Sequence, residues 1–130
     1  MKLSKRMSTV AHMVNKCNAV ADIGTDHGYV PIYLVKNDIA KKAFACDINK
    51  GPLEKAQINI NSYKCNESIE TRLGSGLTVI KPFEVDTAVI AGMGGMLIID
   101  ILNDSIETVQ SLKQLILQPQ LDVGEVRKYI

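Results

Sequence analysis

An α/β domain built on a parallel sheet is the architecture this sequence predicts, and three observations carry it. Short apolar runs alternate with helix-length amphipathic segments, a pattern that yields parallel strands joined by crossover helices on both faces of the sheet. The first such run, Ala19-Val20-Ala21, opens into Asp22-Ile23-Gly24-Thr25-Asp26-His27-Gly28-Tyr29, and a turn of this kind after a first strand is where open α/β sheets bind ligands. With 130 residues, 46% of them hydrophobic and 22% charged, the chain is one domain of ordinary globular composition, large enough to bury a core.

The elements follow in order. Leu3, Met7, Val10, Ala11 and Val14 recur at helical spacing and predict an N-terminal amphipathic helix. Strands are expected over Ala19–Ile23, Lys42–Asp47, Ile69–Leu73, Val85–Ala91 and Leu115–Gln118, and helices over Val30–Lys36, Pro52–Tyr63 and Met96–Leu102. Gly51-Pro52 marks a helix start, because proline at the first helical position gives up only an N–H that has no intrahelical partner. Leu53, Ala56 and Ile60 then form that helix's buried stripe. The chain ends at Tyr129-Ile130, within what reads as the helix after strand five. The outer edge of strand five is therefore expected to lack a partner strand, and an open apolar edge favours self-association.

Composition narrows the function. No apolar run reaches the roughly 20 residues of a membrane span, and the basic N-terminus has no apolar stretch behind it, so the chain reads as cytoplasmic with no membrane partner. Cys17, Cys46 and Cys65 are far apart, and His12 and His27 are isolated, so reduced thiols and no metal are expected. Net charge is only +1. It is unevenly spread: the first 21 residues hold Lys2, Lys5, Arg6 and Lys16 and no acid. These cations are either the solvated face of the helix or a surface that touches RNA phosphates.

The turn after the first strand carries most of the chemistry. A dinucleotide-binding turn needs glycine at its middle position so that a pyrophosphate can approach the backbone. Here that position is Asp26, whose carboxylate would repel it. With Asp22 two residues before Gly24, two acids sit at the end of a buried strand, an arrangement that is costly without a cationic partner. S-adenosylmethionine, with a sulfonium and an ammonium, suits such a site. Gly24, Thr25 and Gly28 form the turn, and His27 either orients its backbone or lines the cofactor. Asp47 lies 19 residues beyond Gly28, where an acid commonly bonds ribose hydroxyls, or else caps the next helix. Ile48 follows it. Ser75-Gly76 occupies the loop after strand three, either beside the adenine ring or as a plain turn. Ala91-Gly92-Met93-Gly94-Gly95 is a glycine-dense turn closing strand four, with Ala91 and Gly92 toward the cofactor and Met93 and Gly94 toward the reacting group. Tyr29 either stacks on a target base or packs at its helix start.

The acid-x-Gly-x-x-x-Gly turn is how class I methyltransferases begin. Leu3-Ser4-Lys5-Arg6, Ala21 through Pro31, Asp47-Ile48-Asn49, Ile90 through Gly95 and Leu117-Gln118-Pro119 together resemble the bacterial tRNA adenine-N1 methyltransferases that act at tRNA position 22, the TrmK type. The resemblance covers essentially the whole chain. It implies a Rossmann-like class I S-adenosylmethionine-dependent methyltransferase fold whose full strand order is 3-2-1-4-5-7-6. The last strands and a C-terminal helical tRNA-binding domain would be missing from residues 1–130. It also implies methyl transfer from S-adenosylmethionine to adenine N1 of tRNA, leaving S-adenosylhomocysteine. For that reaction Asp26 is either the catalytic carboxylate beside the base or a cofactor-binding residue alone. The chain departs from the family at Ser75, where Asn or Asp is common, and at Gln120, where Asn often follows Gln-Pro. Two other readings stand beside this one: methylation of another RNA or a small molecule, and cofactor binding without turnover.

Overall fold

The computed structural model describes residues 2–121. Five parallel strands, β1 (Cys17–Ile23), β2 (Ala40–Asp47), β3 (Ile69–Leu73), β4 (Thr87–Gly94) and β5 (Gln114–Leu121), form one sheet in the order β3-β2-β1-β4-β5. The helices are α1 (Lys5–Met13), α2 (Tyr29–Lys36), α3 (Lys50–Ser62), α4 (Gly95–Asp104) and α5 (Ile106–Gln110), with a 3₁₀ turn at Gly76–Val79. The strand order reverses direction at β1, so the ends of β1 and β4 diverge there and leave a crevice.

Alternation along the strands divides the core into two layers. Val20, Ala43, Ala45 and Val89 point to one face and pack with Val10 and Ala11 of α1, Ile32 and Leu34 of α2 and Ile60 of α3. Their neighbours Ala21, Phe44, Ala88 and Ile90 point to the other, against Leu77 and Ile98, Ile101 and Leu102 of α4. The N-terminal stripe behaves as its spacing predicts: Val10, Ala11 and Val14 are buried, and Leu3 and Met7 pack against them. Ser4 caps α1, its hydroxyl accepting from the Met7 amide at 3.2 Å. Gln114 of β5 fixes the far end of this helix, its Nε2 donating to Met13 O at 2.7 Å and its Oε1 accepting from Asn15 N at 2.8 Å. α1 is thereby held across the sheet at its β4–β5 side.

Several boundaries differ from the expected ones. α3 begins at Lys50, with Asn49 at its N-cap, so Pro52 lies inside the first turn rather than opening it. The first four helical amides have no intrahelical acceptor, which makes the proline harmless there. β4 runs to Gly94, so Gly92, Met93 and Gly94 are strand rather than turn. Its pairing with β5 is irregular between Ala91 and Gly94, and Gly92 has φ +76°, the geometry of a bulge built on a left-handed glycine. β5 continues through Pro119, which a strand at the edge of the described sheet tolerates. The helix expected after strand five lies outside the described residues. The three cysteines are free, with Cys46 and Cys65 buried. Among the described residues no helix is long and apolar enough to cross a membrane, and no group of three His, Cys, Asp or Glu side chains is placed to hold a metal.

Candidate functional site

At the carboxyl ends of the strands two cavities adjoin, and Gly24 lines both. The larger, ≈ 640 Å³, is walled by Asp47, Ile48 and Asn49 after β2, by Gly74, Ser75 and Gly76 after β3, and by Met93, Leu97 and Ile101. The second lies beneath α1 and is lined by Arg6, Asp22, Thr25, Asp26, Ala91 and Gln118, with Val30 and Val89 among its apolar walls.

The loop after β1 creates this division. Gly24 and Gly28 take φ of +76° and +77°, and Asp26, at +58°, is one of the residues able to share that region. A Cβ at Gly24 would lie 2.4 Å from the Met93 Cε, so a side chain there would push Met93 into the larger cavity. The turn is closed by Gly28 N donating to Thr25 O at 3.0 Å, and tied to α3 by Asn59 Nδ2 donating to His27 O at 2.8 Å.

Asp47 is buried, and both carboxylate oxygens are fixed by backbone donors: Oδ2 accepts from Asp26 N at 3.2 Å and Oδ1 from Asn49 N at 3.0 Å. Each ionised oxygen retains further acceptor capacity. Ile48 is 64% exposed beside it, an apolar plate at the cavity mouth. Ser75 is exposed there and N-caps the 3₁₀ turn through its backbone, with its carbonyl accepting from the Thr78 hydroxyl.

Asp22 is buried under the second cavity and accepts from the Thr25 hydroxyl at 2.9 Å. Burial pushes its carboxyl up to about 6, against the Thr25 hydrogen bond; the charges of Asp47 and Asp26 push the same way, while the Arg6 guanidinium opposes them. Among the described residues it has no ion-pair partner. Its neighbour Asp26 is exposed and pairs with His27 Nδ1 at 3.2 Å. His27 in turn stacks on Tyr29, with centroids 5.7 Å apart and planes 10° from parallel. One face of Tyr29 is thus occupied within the protein.

The sequence alone places Arg6 with Lys2 and Lys5, as a solvated or RNA-facing cation. The structure leaves Lys2, Lys5 and Arg6 all exposed, but Arg6 also lines the second cavity at the strand ends. A Cβ at Gly92 would lie 2.2 Å from Arg6 Nη1, so the bulge glycine leaves the room in which the guanidinium rests. Arg6, Gln118, Leu97 and Ile101 are among the cavity-lining residues that local sequence reasoning does not place there. The resemblance of Leu3-Ser4-Lys5-Arg6 and Leu117-Gln118-Pro119 to the family is the available signal for the first two.

A family model described as a methyltransferase domain matches residues 3–130. Among curated relatives, the Bacillus subtilis tRNA (adenine(22)-N(1))-methyltransferase is 41% identical over 130 residues, 100% of this chain and 55% of that protein. Among solved structures, Mycoplasma capricolum TrmK in complex with S-adenosyl-homocysteine superimposes with a TM-score of 0.90 at 38% identity, covering 99% of this chain and 57% of that one. A Streptococcus pneumoniae protein in complex with S-adenosyl-L-methionine does so with a TM-score of 0.94 at 35% identity, covering 98% and 60%. The chain spans little more than half the length of these relatives. With the parallel sheet, the acidic first turn and the match along nearly the whole chain agreeing, the chain belongs to the methyltransferase domain family.

Proposed function

We propose that this chain forms the catalytic part of an S-adenosylmethionine-dependent enzyme that methylates N1 of an adenine in tRNA. The observation that carries the reading is the charge arrangement at the strand ends: buried Asp22 with no ion pair among the described residues, Asp47 fixed by two backbone amides, and Arg6 facing Asp22 across one cavity.

These residues fit the cofactor. Asp47 receives the ribose hydroxyls, and Ile48, Ser75, Gly76, Leu97 and Ile101 border the base. Asp22 takes the ammonium and Arg6 the carboxylate of the amino-acid end, across Gly24, Thr25 and the backbone of Ala91 and Gly92. When bound, S-adenosylmethionine supplies an electrophilic methyl group on a sulfonium and leaves as S-adenosylhomocysteine. No metal enters this scheme.

The protein's contribution is alignment, which can supply roughly 7–11 kcal/mol of a transfer barrier. Gly28 sets the turn that presents Asp26, and the His27 pair holds that carboxylate at the cavity edge. From there it stabilises positive charge as it develops on the base and accepts the proton that N6 later sheds. Met93 and Gly94 border the approach of the base, and the free edge of Tyr29 supports it. Lys2 and Lys5 contact RNA phosphates. The assignment places the enzyme in the cytoplasm with tRNA. The outer edge of β5 remains a candidate for self-association, which light scattering across concentrations would reveal.

Tritiated methyl transfer to unmodified tRNA, with the product mapped to N1 of adenine, tests the reading. Transfer to another RNA or a small molecule alone would replace it. Cofactor binding with no transfer would favour a binding role, a reading that the partial coverage of the relatives keeps in view.

The two kinds of cation separate in one experiment. Arg6→Gln is expected to weaken S-adenosylmethionine binding about 10- to 100-fold, the loss of one charge-assisted hydrogen bond. Neutralising Lys2 and Lys5 is expected to leave that affinity unchanged and to flatten the salt dependence of tRNA binding. Calorimetry and filter binding at several salt concentrations read the two effects.

A further inference from the structure

Among the described residues, one buried side-chain polar atom lacks a hydrogen-bond partner: Oε1 of Gln118. Buried acceptors are ordinarily satisfied, and in a residue that lines a cavity the missing donor can come from what enters it. Gln118 lies near the end of β5, opposite Ala91 of β4, and lines the cavity that holds Arg6, Asp22 and Asp26. We propose that Gln118 is a specificity-determining residue whose amide oxygen accepts a hydrogen bond from the exocyclic amine of the target adenine. The proposal rests on the adenine-N1 reading above.

Position and charge favour the base over the cofactor's ammonium as the donor. The larger cavity, assigned to the adenosine end of the cofactor, takes its walls from the segments after β1 to β4 and from α4, and none from β5. Gln118 stands across Gly24 from it, in the second cavity, which takes the amino-acid end at Asp22 and Arg6 and admits the incoming base at its β5 wall. The ammonium already has the carboxylate of Asp22, whereas Gln118 offers a neutral acceptor suited to a neutral amine. In adenine the amine is on the carbon next to N1, so an acceptor that holds N6 also aims N1. A base with a carbonyl at that position would set oxygen against oxygen.

The contact also strengthens during reaction. As N1 forms its bond to the methyl carbon and the carbon–sulfur bond breaks, positive charge leaves sulfur and spreads over N1 and N6. The N6–H becomes a better donor, so the bond to Gln118 favours the transition state over the bound substrate. One of the two protons already on N6 then passes to Asp26 or water, which neutralises the methylated base, and Gln118 neither gains nor loses one.

The test compares tRNA carrying adenine with tRNA carrying unsubstituted purine, which lacks the amine, at the methylated position, using the full-length protein. Gln118→Met is expected to lower kcat for the adenine substrate roughly 5- to 100-fold and leave the purine substrate unaffected, collapsing the preference between them. Gln118→Glu, which keeps an acceptor, is expected to retain the preference. Calorimetry should give the Met variant the same S-adenosylmethionine affinity and thermal unfolding the same or a higher Tm. An unchanged adenine-to-purine ratio with weakened cofactor binding would overturn the proposal and assign Gln118 to the ammonium. Wild-type protein that binds the cofactor but methylates neither tRNA would overturn the underlying reading and the proposal with it. That outcome is distinguishable because it needs no variant.

Discussion

Asp22→Asn is expected to stabilise the cofactor-free protein and to cripple cofactor binding. The unfolded carboxyl titrates near 3.8 and the folded one near about 6, chiefly because it is buried. Between these values the folded state binds more protons than the unfolded state, so stability falls as pH rises through that window and stays low above it. A shift of this size corresponds to about 3 kcal/mol. The amide retains an acceptor for the Thr25 hydroxyl and carries no charge to desolvate, so the variant should recover about 1–3 kcal/mol at pH 8. Its Tm should rise by about 4 °C or more there and match the wild type below about pH 4. S-adenosylmethionine affinity should fall about 10- to 150-fold, the loss of a charge-assisted bond to the ammonium. A less stable variant with intact affinity would show that Asp22 is structural. The expected pairing of gain and loss marks a site whose strain is resolved by its ligand.

Asp47→Ala is expected to have the largest effect on affinity alone. The carboxylate does two jobs through the same oxygens: it holds the Asp26 and Asn49 amides at 3.2 and 3.0 Å, and it presents its remaining lone pairs to the larger cavity. Its removal deletes two charge-assisted bonds to the ribose and frees the acidic turn. The combined loss is about 3–5 kcal/mol, or roughly 150- to several-thousand-fold in Kd. Asp47→Asn, which keeps one acceptor for the backbone, should fall between the alanine variant and the wild type. Equal affinities for all three proteins would remove Asp47 from the site.

The sequence made the sheet and one half of the site readable because both are local. Ala43, Phe44, Ala45 and Cys46 form a continuous buried apolar run that is written directly in the chain, and strand geometry sends alternate members to opposite faces. Asp22 and Asp47 close the ends of β1 and β2 and Asp26 lies in the turn after β1, and the structure brings all three to the same end of the sheet. What escaped is tertiary. The strand-like run of Gly92 and Met93 depends on β5 pairing beyond Ala91, which a cluster of glycines disguises as a turn. α5 is only five residues long and is fixed by Thr108 donating to Ile80 O at 3.1 Å, a contact with a distant segment. Arg6 reaches the cavity at the strand ends because Gln114 of β5 holds α1 across the sheet and Gly92 makes room beneath it. No pattern within α1 distinguishes Arg6 from its exposed neighbour Lys5.

The most direct measurement is titration calorimetry of the protein with S-adenosylmethionine and, separately, with NAD, from pH 5 to pH 8. Because the ammonium requires an ionised Asp22, S-adenosylmethionine should bind with a Kd that is level well above about pH 6 and weakens toward tenfold per pH unit below it. NAD, whose pyrophosphate would meet Asp26 and Asp22, should give no binding heat. Tight NAD binding with none for S-adenosylmethionine would contradict the assignment of these acids to a cationic methyl donor.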